Sequence, residues 1–213
     1  MKNISTTINI KNSELIKKLL NQEEFFHGFD DVINTSSALS RELYLGDINS
    51  DAADGINMLV RFWNKLDDQD EIPVSERIPI KIYIDSPGGD LIAAYTIINT
   101  IELSKTPIWT INVGAAYSAG FFIFITGHYR IAYPLSSFLY HEGSGGFGGD
   151  AHKLRNGMDF YKKQLNQLKQ HVLKYTDLTE EDYEHILKDD YWLLASEALE
   201  KNIVDEIATK GVM

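Results

Sequence analysis

From Arg41 onward the sequence predicts an α/β domain, and three observations carry that prediction. Short β-rich runs alternate with longer helix-period segments, which is the pattern of strands joined by right-handed crossovers. The β-rich runs are mostly continuous in apolar residues, as strands buried on both faces are. Glycine-containing turns, Asp85-Ser86-Pro87-Gly88-Gly89-Asp90 and Gly114-Ala115-Ala116-Tyr117-Ser118-Ala119-Gly120, stand where a β run gives way to a helical one. At 213 residues, 44% hydrophobic and 24% charged, the chain is long enough for one sizeable core.

Residues 1–40 read as an N-terminal arm, in which Ser13 could cap a helix over Glu14–Phe26 with Leu15, Ile16, Leu19 and Leu20 on one face. The domain proper is residues 41–213. Its strands are expected at Glu42–Leu45, Ile78–Ile84, Trp109–Val113, Arg130–Tyr133, Phe138–Tyr140 and Ile203–Ile207. Its helices are expected at Ala52–Leu66, Leu91–Leu103, Ser118–Thr126, Ala151–Tyr175, Thr179–Lys188 and Glu197–Lys201. The charged stretch Asp67–Arg77, interrupted by Pro73, reads as an exposed loop. In Ala151–Tyr175, apolar or aromatic residues at Leu154, Met158, Tyr161, Leu165, Leu168, Val172 and Tyr175 alternate spacings of four and three, a heptad seam. A helix of that span would be roughly 37 Å long, more than a small domain covers by itself, so contact with another subunit is expected.

Composition removes several classes of function. With no cysteine there is no thiolate nucleophile, disulfide or cysteine-ligated metal, so any nucleophile is an oxygen or an amine. Twenty Lys and Arg against 31 Asp and Glu give a net charge of −11, a field that repels nucleic acid and anionic lipid. No phosphate-binding loop of the GxxxxGK[ST] kind, GxGxxG turn or HExxH occurs. Work that needs ATP would need another protein. The longest apolar candidate, Gly120–Gly127, is less than half the roughly 18 residues that a membrane span requires, and the polar start lacks the apolar core of a secretory signal. A cytoplasmic location is expected.

Three segments could carry chemistry. The paired glycines Gly88-Gly89 at a helix start can serve as a turn or expose N–H groups to a developing oxyanion. Ser118, among small residues where a helix begins, can be an N-cap or a nucleophile on an elbow, although Ala116 replaces the first glycine of GxSxG. Of six histidines, His141 alone ends an apolar strand, ahead of a glycine-rich loop.

The succession YIDSPGGD, GAAYSAG, YHEGSGG, a long helix and DDYWLLASEALEKNIVDEI closely resembles the proteolytic subunits of the Clp proteases, a family of serine peptidases. The resemblance covers Glu42 to Ile207. It implies a crotonase-like fold of ββα superhelical turns with a protruding handle helix, at the place where the heptad seam falls. It further implies Ser118 as nucleophile, His141 as base, Asp190 as the carboxylate that orients the histidine, and Gly89 and Ala119 as oxyanion-hole donors. By the same resemblance the substrates are polypeptides, the assembly is a homo-oligomer of two stacked heptameric rings, the partner is an AAA+ unfoldase, and no metal or organic cofactor is needed. The family's usual Gln-Pro after the histidine is Glu142-Gly143 here, and its Asp-Arg-Asp is Lys188-Asp189-Asp190. Two other readings differ in kind: a noncatalytic ring component, and a crotonase-type acyl-CoA enzyme, which has no need of a Ser–His–Asp set.

Overall fold

Seven strands form one sheet in the computed structural model, which describes residues 40–143, 146, 148–186 and 189–211. The expected arm helix over Glu14–Phe26 and the charge of Lys188 lie outside the described residues. The chain divides into two compact units, residues 1–42 and 43–213. Within the described residues the strands are β1 (Glu42–Leu45), β2 (Ile80–Ser86), β3 (Ile108–Tyr117), β4 (Tyr129–Ala132), β5 (Ser137–Tyr140), β6 (Tyr191–Leu194) and β7 (Glu206–Ile207). The helices are α1 (Ser50–Gln69), α2 (Leu91–Glu102), α3 (Ala119–Ile125), α4 (Ala151–Tyr175), α5 (Glu180–Ile186) and α6 (Ala195–Glu200). The order β1-β2-β3-β4-β7 is continued by β5, which pairs with β3, and by β6 beyond it. The pairings of β2 with β3, β3 with β4 and β5, and β4 with β7 are parallel, and β5 with β6 is antiparallel. This is the α/β architecture that the alternation of elements predicts.

Local chemistry explains the helix starts. The Asn49 side chain accepts from the Ala52 N–H at 3.0 Å, and Asp90 accepts from Ala93 N–H at 2.8 Å. Asp150 opens α4 by accepting from both His152 and Lys153. α1 buries Ala53, Ile56, Val60 and Trp63 at helical spacing, and α2 buries Ala93, Ala94, Ile97, Ile98 and Ile101. α3 has no polar face: each of its seven residues is buried. Burial of each Phe or Ile there stabilises by about 1.5–3 kcal/mol, which makes α3 a fixed anchor for the residue before it. Among the described residues no helix is long and apolar enough to cross a membrane.

Two expectations are corrected. Asp67–Arg77 is an exposed loop only in its middle, where Glu71 and Pro73–Glu76 are exposed: α1 continues through Gln69, and the end residues Asp67 and Arg77 are 0% and 8% exposed. Thr106 Oγ1 donates to Asp67 at 2.7 Å, while Arg77 donates to Thr106 Oγ1 and, at 2.5 Å, to Asp68. Charged residues go inside when partners from another segment satisfy them. The second correction is β6, unexpected because four residues without alternation, YWLL, carry no period of their own.

The heptad seam of α4 divides. Leu168 and Val172 are buried against the core, but Leu154 and Met158 are 40% and 47% exposed. The first half of the helix therefore carries its apolar stripe past the body of the domain, as a protruding handle does.

Candidate active site

A local irregularity in β3 builds the site. Register runs from Ile80↔Ile108 to Ile84↔Asn112, then jumps to Ser86↔Ala116, so β3 holds extra residues between Asn112 and Ala116. Side chains satisfy the displaced backbone: Asp85 Oδ1 accepts from Ala115 N–H at 3.0 Å, and Asn112 Oδ1 accepts from Gly114 N–H at 3.1 Å. The bulge also lets β3 change neighbours on one edge, from β4 over Trp109–Asn112 to β5 over Ala115–Tyr117. Asn112 Nδ2 ties the exchange by donating to the Ser137 carbonyl at 2.9 Å.

At the end of β3, Ser118 has φ 53° and ψ −119°, and its hydroxyl does not cap α3. Ser118 thus occupies the N-cap position of α3 without making the capping bond. A non-glycine residue at positive φ costs of order 1–3 kcal/mol and persists only where the surroundings enforce it. Here the enforcement comes from buried α3 on one side and from β5 on the other, where the Leu139 carbonyl accepts the Ser118 N–H at 2.9 Å. Tyr117, the residue before the elbow, turns along the sheet: its ring meets Trp192 edge-on at 5.2 Å and its hydroxyl pairs with Ser137 Oγ at 2.7 Å.

Register arithmetic brings the other candidates to the same corner. Tyr117 pairs with Leu139, so His141 lies two residues past the pair, as Ser118 lies one past it. On the far edge Tyr140 pairs antiparallel with Tyr191, which sets His141 against Asp190. His141 Nδ1 stands 3.7 Å from Asp190 Oδ1, longer than a hydrogen bond. His141 Nε2 is buried and has no hydrogen-bond partner. A buried unpaired ring nitrogen is costly in a structural histidine.

Facing Ser118 is the turn after β2. Gly88 and Gly89 have φ of 110° and 150°. A Cβ on Gly88 would fall 2.8 Å from Ser118 Cβ, and one on Gly89 would fall 2.1 Å from the Ile48 carbonyl oxygen. The loop is held against the segment before α1 by Ile48 N–H to Gly88 O at 3.1 Å and Asp90 N–H to Ile48 O at 2.8 Å. The sequence singles out both glycines for their N–H groups, but not the part that Gly88 plays by lacking a side chain, which is to admit the serine. Ala119, the first residue of α3, has an N–H among those that a helix start leaves without an intrahelical partner.

Aromatic residues surround the end of β5. Phe121 stacks on Tyr140 at 5.3 Å, and Tyr140 lies 6.3 Å from Tyr183. Burial, with help from Glu142, pushes the Tyr183 hydroxyl up to about 12. Burial likewise raises Tyr140, with Tyr183 and Glu142 adding to it. Among the described residues no cluster of three His, Asp or Glu could hold a metal ion.

The model of the Clp protease family matches residues 48–211. The chain is 32% identical over 174 residues to the ATP-dependent Clp protease proteolytic subunit 2 of Treponema pallidum (strain Nichols), covering 80% of this chain and 83% of that protein. It is 33% identical over 184 residues to subunit 2 of Prochlorococcus marinus (strain MIT 9312), covering 83% and 85%. With subunit 3 of Synechococcus sp. (strain CC9605) it shares 32% identity over 182 residues, covering 82% and 86%. A crotonase-like α/β fold, an uncapped serine elbow and similarity along nearly the whole domain together make the chain a member of the Clp protease family.

Proposed function

We propose that this Clp-family serine peptidase cleaves unfolded polypeptides and short peptides through Ser118, His141 and Asp190. The observation that carries the reading is the sheet register, which sets the ends of β3, β5 and β6 side by side with one of these residues on each. His141 Nε2 is buried and has no hydrogen-bond partner, which supports the role of proton acceptor.

As Ser118 Oγ bonds to the scissile carbonyl carbon, His141 Nε2 takes the hydroxyl proton, and the carbonyl oxygen becomes an anion bound by the N–H groups of Gly89 and Ala119. The C–N bond then breaks, with the proton passing from His141 to the leaving amine. Water repeats the sequence on the acyl-enzyme and releases the acid. Asp190 holds the imidazole with Nδ1 protonated; its side chain is 52% exposed, so a small movement brings it from 3.7 Å to bonding distance. Gly88 leaves room for the serine, and the positive φ of Ser118 turns its hydroxyl out of the strand.

The relatives are named ATP-dependent, and this chain has no phosphate-binding loop, so a separate AAA+ unfoldase would deliver folded substrates. The exposed Leu154, Met158 and Phe160 on the handle support self-association, in the form of stacked heptameric rings around a chamber. A fluorophosphonate probe followed by peptide mapping tests the reading. Labelling at Ser118, abolished in Ser118→Ala, is expected; an unlabelled Ser118 in a protein that hydrolyses peptides would overturn it.

A further inference from the structure

We propose that Glu142 is a positioning residue for His141, bound at its carbonyl by one helix and at its carboxylate by another, so that α4 and α5 together set the imidazole against Asp190. The proposal rests on the Ser118–His141–Asp190 reading above.

β5 ends at Tyr140, and Gly143 turns at φ 78°. His141 therefore lies past the last residue whose direction the sheet ladder sets, and the contacts of the next residue decide where its ring points. Glu142 has two such contacts. The Tyr161 hydroxyl, from the middle of α4, donates to the Glu142 carbonyl at 3.1 Å. The Tyr183 hydroxyl, from α5, donates to Glu142 Oε1 at 3.2 Å.

Tyr183 is itself held. It is 8% exposed, with Tyr140 on one side and Lys169 Nζ of α4 4.5 Å from its ring centroid, and Lys169 pairs with Glu180 of α5. With its ionisation pushed up to about 12, the Tyr183 hydroxyl keeps its proton and stays a donor throughout the neutral range. Asp190 follows α5 in the chain. The carboxylate of Glu142 thus joins the residue after the imidazole to the helix ahead of the carboxylate that faces it, so this bond adjusts a His141–Asp190 separation that the β5–β6 register sets coarsely. Both contacts lie toward the long end of the hydrogen-bond range, so their effect is on geometry more than on stability.

The test measures turnover of a short unstructured fluorogenic peptide by Glu142→Ala, Glu142→Gln, Tyr183→Phe and Glu142→Ala/Tyr183→Phe, with thermal melting and particle mass recorded for each. Misplacement of a catalytic group on the ångström scale lowers rate by up to about 100-fold. Glu142→Ala is expected to lose about tenfold or more in kcat with KM within about twofold. Glu142→Gln keeps an oxygen acceptor for Tyr183 and should recover most of the loss. Tyr183→Phe should resemble Glu142→Ala and add nothing in its background. Wild-type kcat in Glu142→Ala, a loss confined to KM, or a Glu142→Gln protein as impaired as Glu142→Ala overturns the proposal. If Glu142→Ala fails to fold or assemble, Tyr183→Phe and Glu142→Gln decide by the same criteria. Fluorophosphonate labelling of the wild type separates the two levels: failure to label Ser118 removes the catalytic reading, whereas normal labelling and turnover in Glu142→Ala removes only the role of Glu142.

Discussion

The backbone N–H of Ser118 donates to the carbonyl of Leu139, two residues before His141. The elbow and the strand that ends in the histidine are therefore one mechanical unit, and displacement of either moves the other. This bond extends the β3–β5 ladder, already paired over Ala115–Tyr117, by one residue into the elbow.

Ser118→Ala should abolish peptide hydrolysis while leaving the fold and particle mass unchanged. Loss of a triad member costs on the order of 10⁴ or more in rate. Initial rates on a short fluorogenic peptide, set against size-exclusion light scattering, measure both. Turnover near that of the parent protein would remove Ser118 from the mechanism.

Gly89→Ala should be nearly as damaging without touching the triad. The new Cβ would lie 2.1 Å from the Ile48 carbonyl oxygen, at a φ of 150°. The turn must move, and the Gly89 N–H with it; loss of one oxyanion donor costs about 10²–10³ in kcat. Steady-state kinetics with KM and kcat separated is the check, and an unchanged kcat would place the oxyanion elsewhere.

Arg130 links β4 to the end of the handle helix. Its guanidinium donates to both carboxylate oxygens of Asp205 at 2.6 and 2.9 Å, to the Tyr175 carbonyl at 2.6 Å and to the Asn202 carbonyl at 2.9 Å. The residue is 7% exposed. Arg130→Met leaves the Tyr175 and Asn202 carbonyls and Asp205 Oδ1 without the guanidinium, while Asp205 Oδ2 keeps the backbone N–H of residue 130, and should destabilise by about 3 kcal/mol. Denaturant midpoints of the two proteins give the difference, and a change under about 1 kcal/mol would mean that water replaces the guanidinium.

The two halves of α4 should respond differently. Leu168→Ala opens a cavity in the core and should cost about 2–4 kcal/mol in stability. Met158→Asp, on the exposed stripe, should leave thermal unfolding of the subunit alone and shift the particle to smaller species in light scattering. A full-size particle from Met158→Asp would mean that this part of the handle faces solvent in the assembly.

Stability should fall on mild acidification. Burial lowers the pKa of His171 from its ordinary 6.5, against smaller opposing effects from Glu102 and a hydrogen bond to Phe122. Burial also lowers the pKa of His128, against a smaller opposing effect from the Ile108 backbone. A histidine whose folded pKa is depressed binds its proton more readily in the unfolded chain, so the stability that it contributes is complete above about pH 6.5 and lost as the pH falls through the folded value. Melting temperatures between about pH 7.5 and 5 should drop, and His171→Gln, which keeps a polar partner for Thr126, should flatten the decline. A profile unchanged by that substitution would assign the acid sensitivity to other groups.

Local signals were enough for the alternation of strands and helices, the start of α2 at Leu91, the span of α4 to the residue, and the glycine turn beside an elbow-like serine. All of these depend on neighbours within a few positions: a capping carboxylate, a period of 3.6, a glycine that tolerates positive φ. The polar Asp67 inside the core, β6 and the division of α4 into buried and projecting halves depend on residues far away in the chain, Thr106 and Arg77 in the first case and β5 in the second, and no local pattern specifies them. The candidate site divides in the same way. That Ser118, His141 and Asp190 were worth singling out was legible in motif and resemblance, but their meeting is a matter of which strands pair and in what register, set by a bulge in β3 and by an antiparallel strand that carries no period. The two tyrosine hydroxyls on Glu142 come from helices whose packing only the folded chain decides, because a hydrogen bond between residues dozens of positions apart exists only after the hydrophobic core has brought them together.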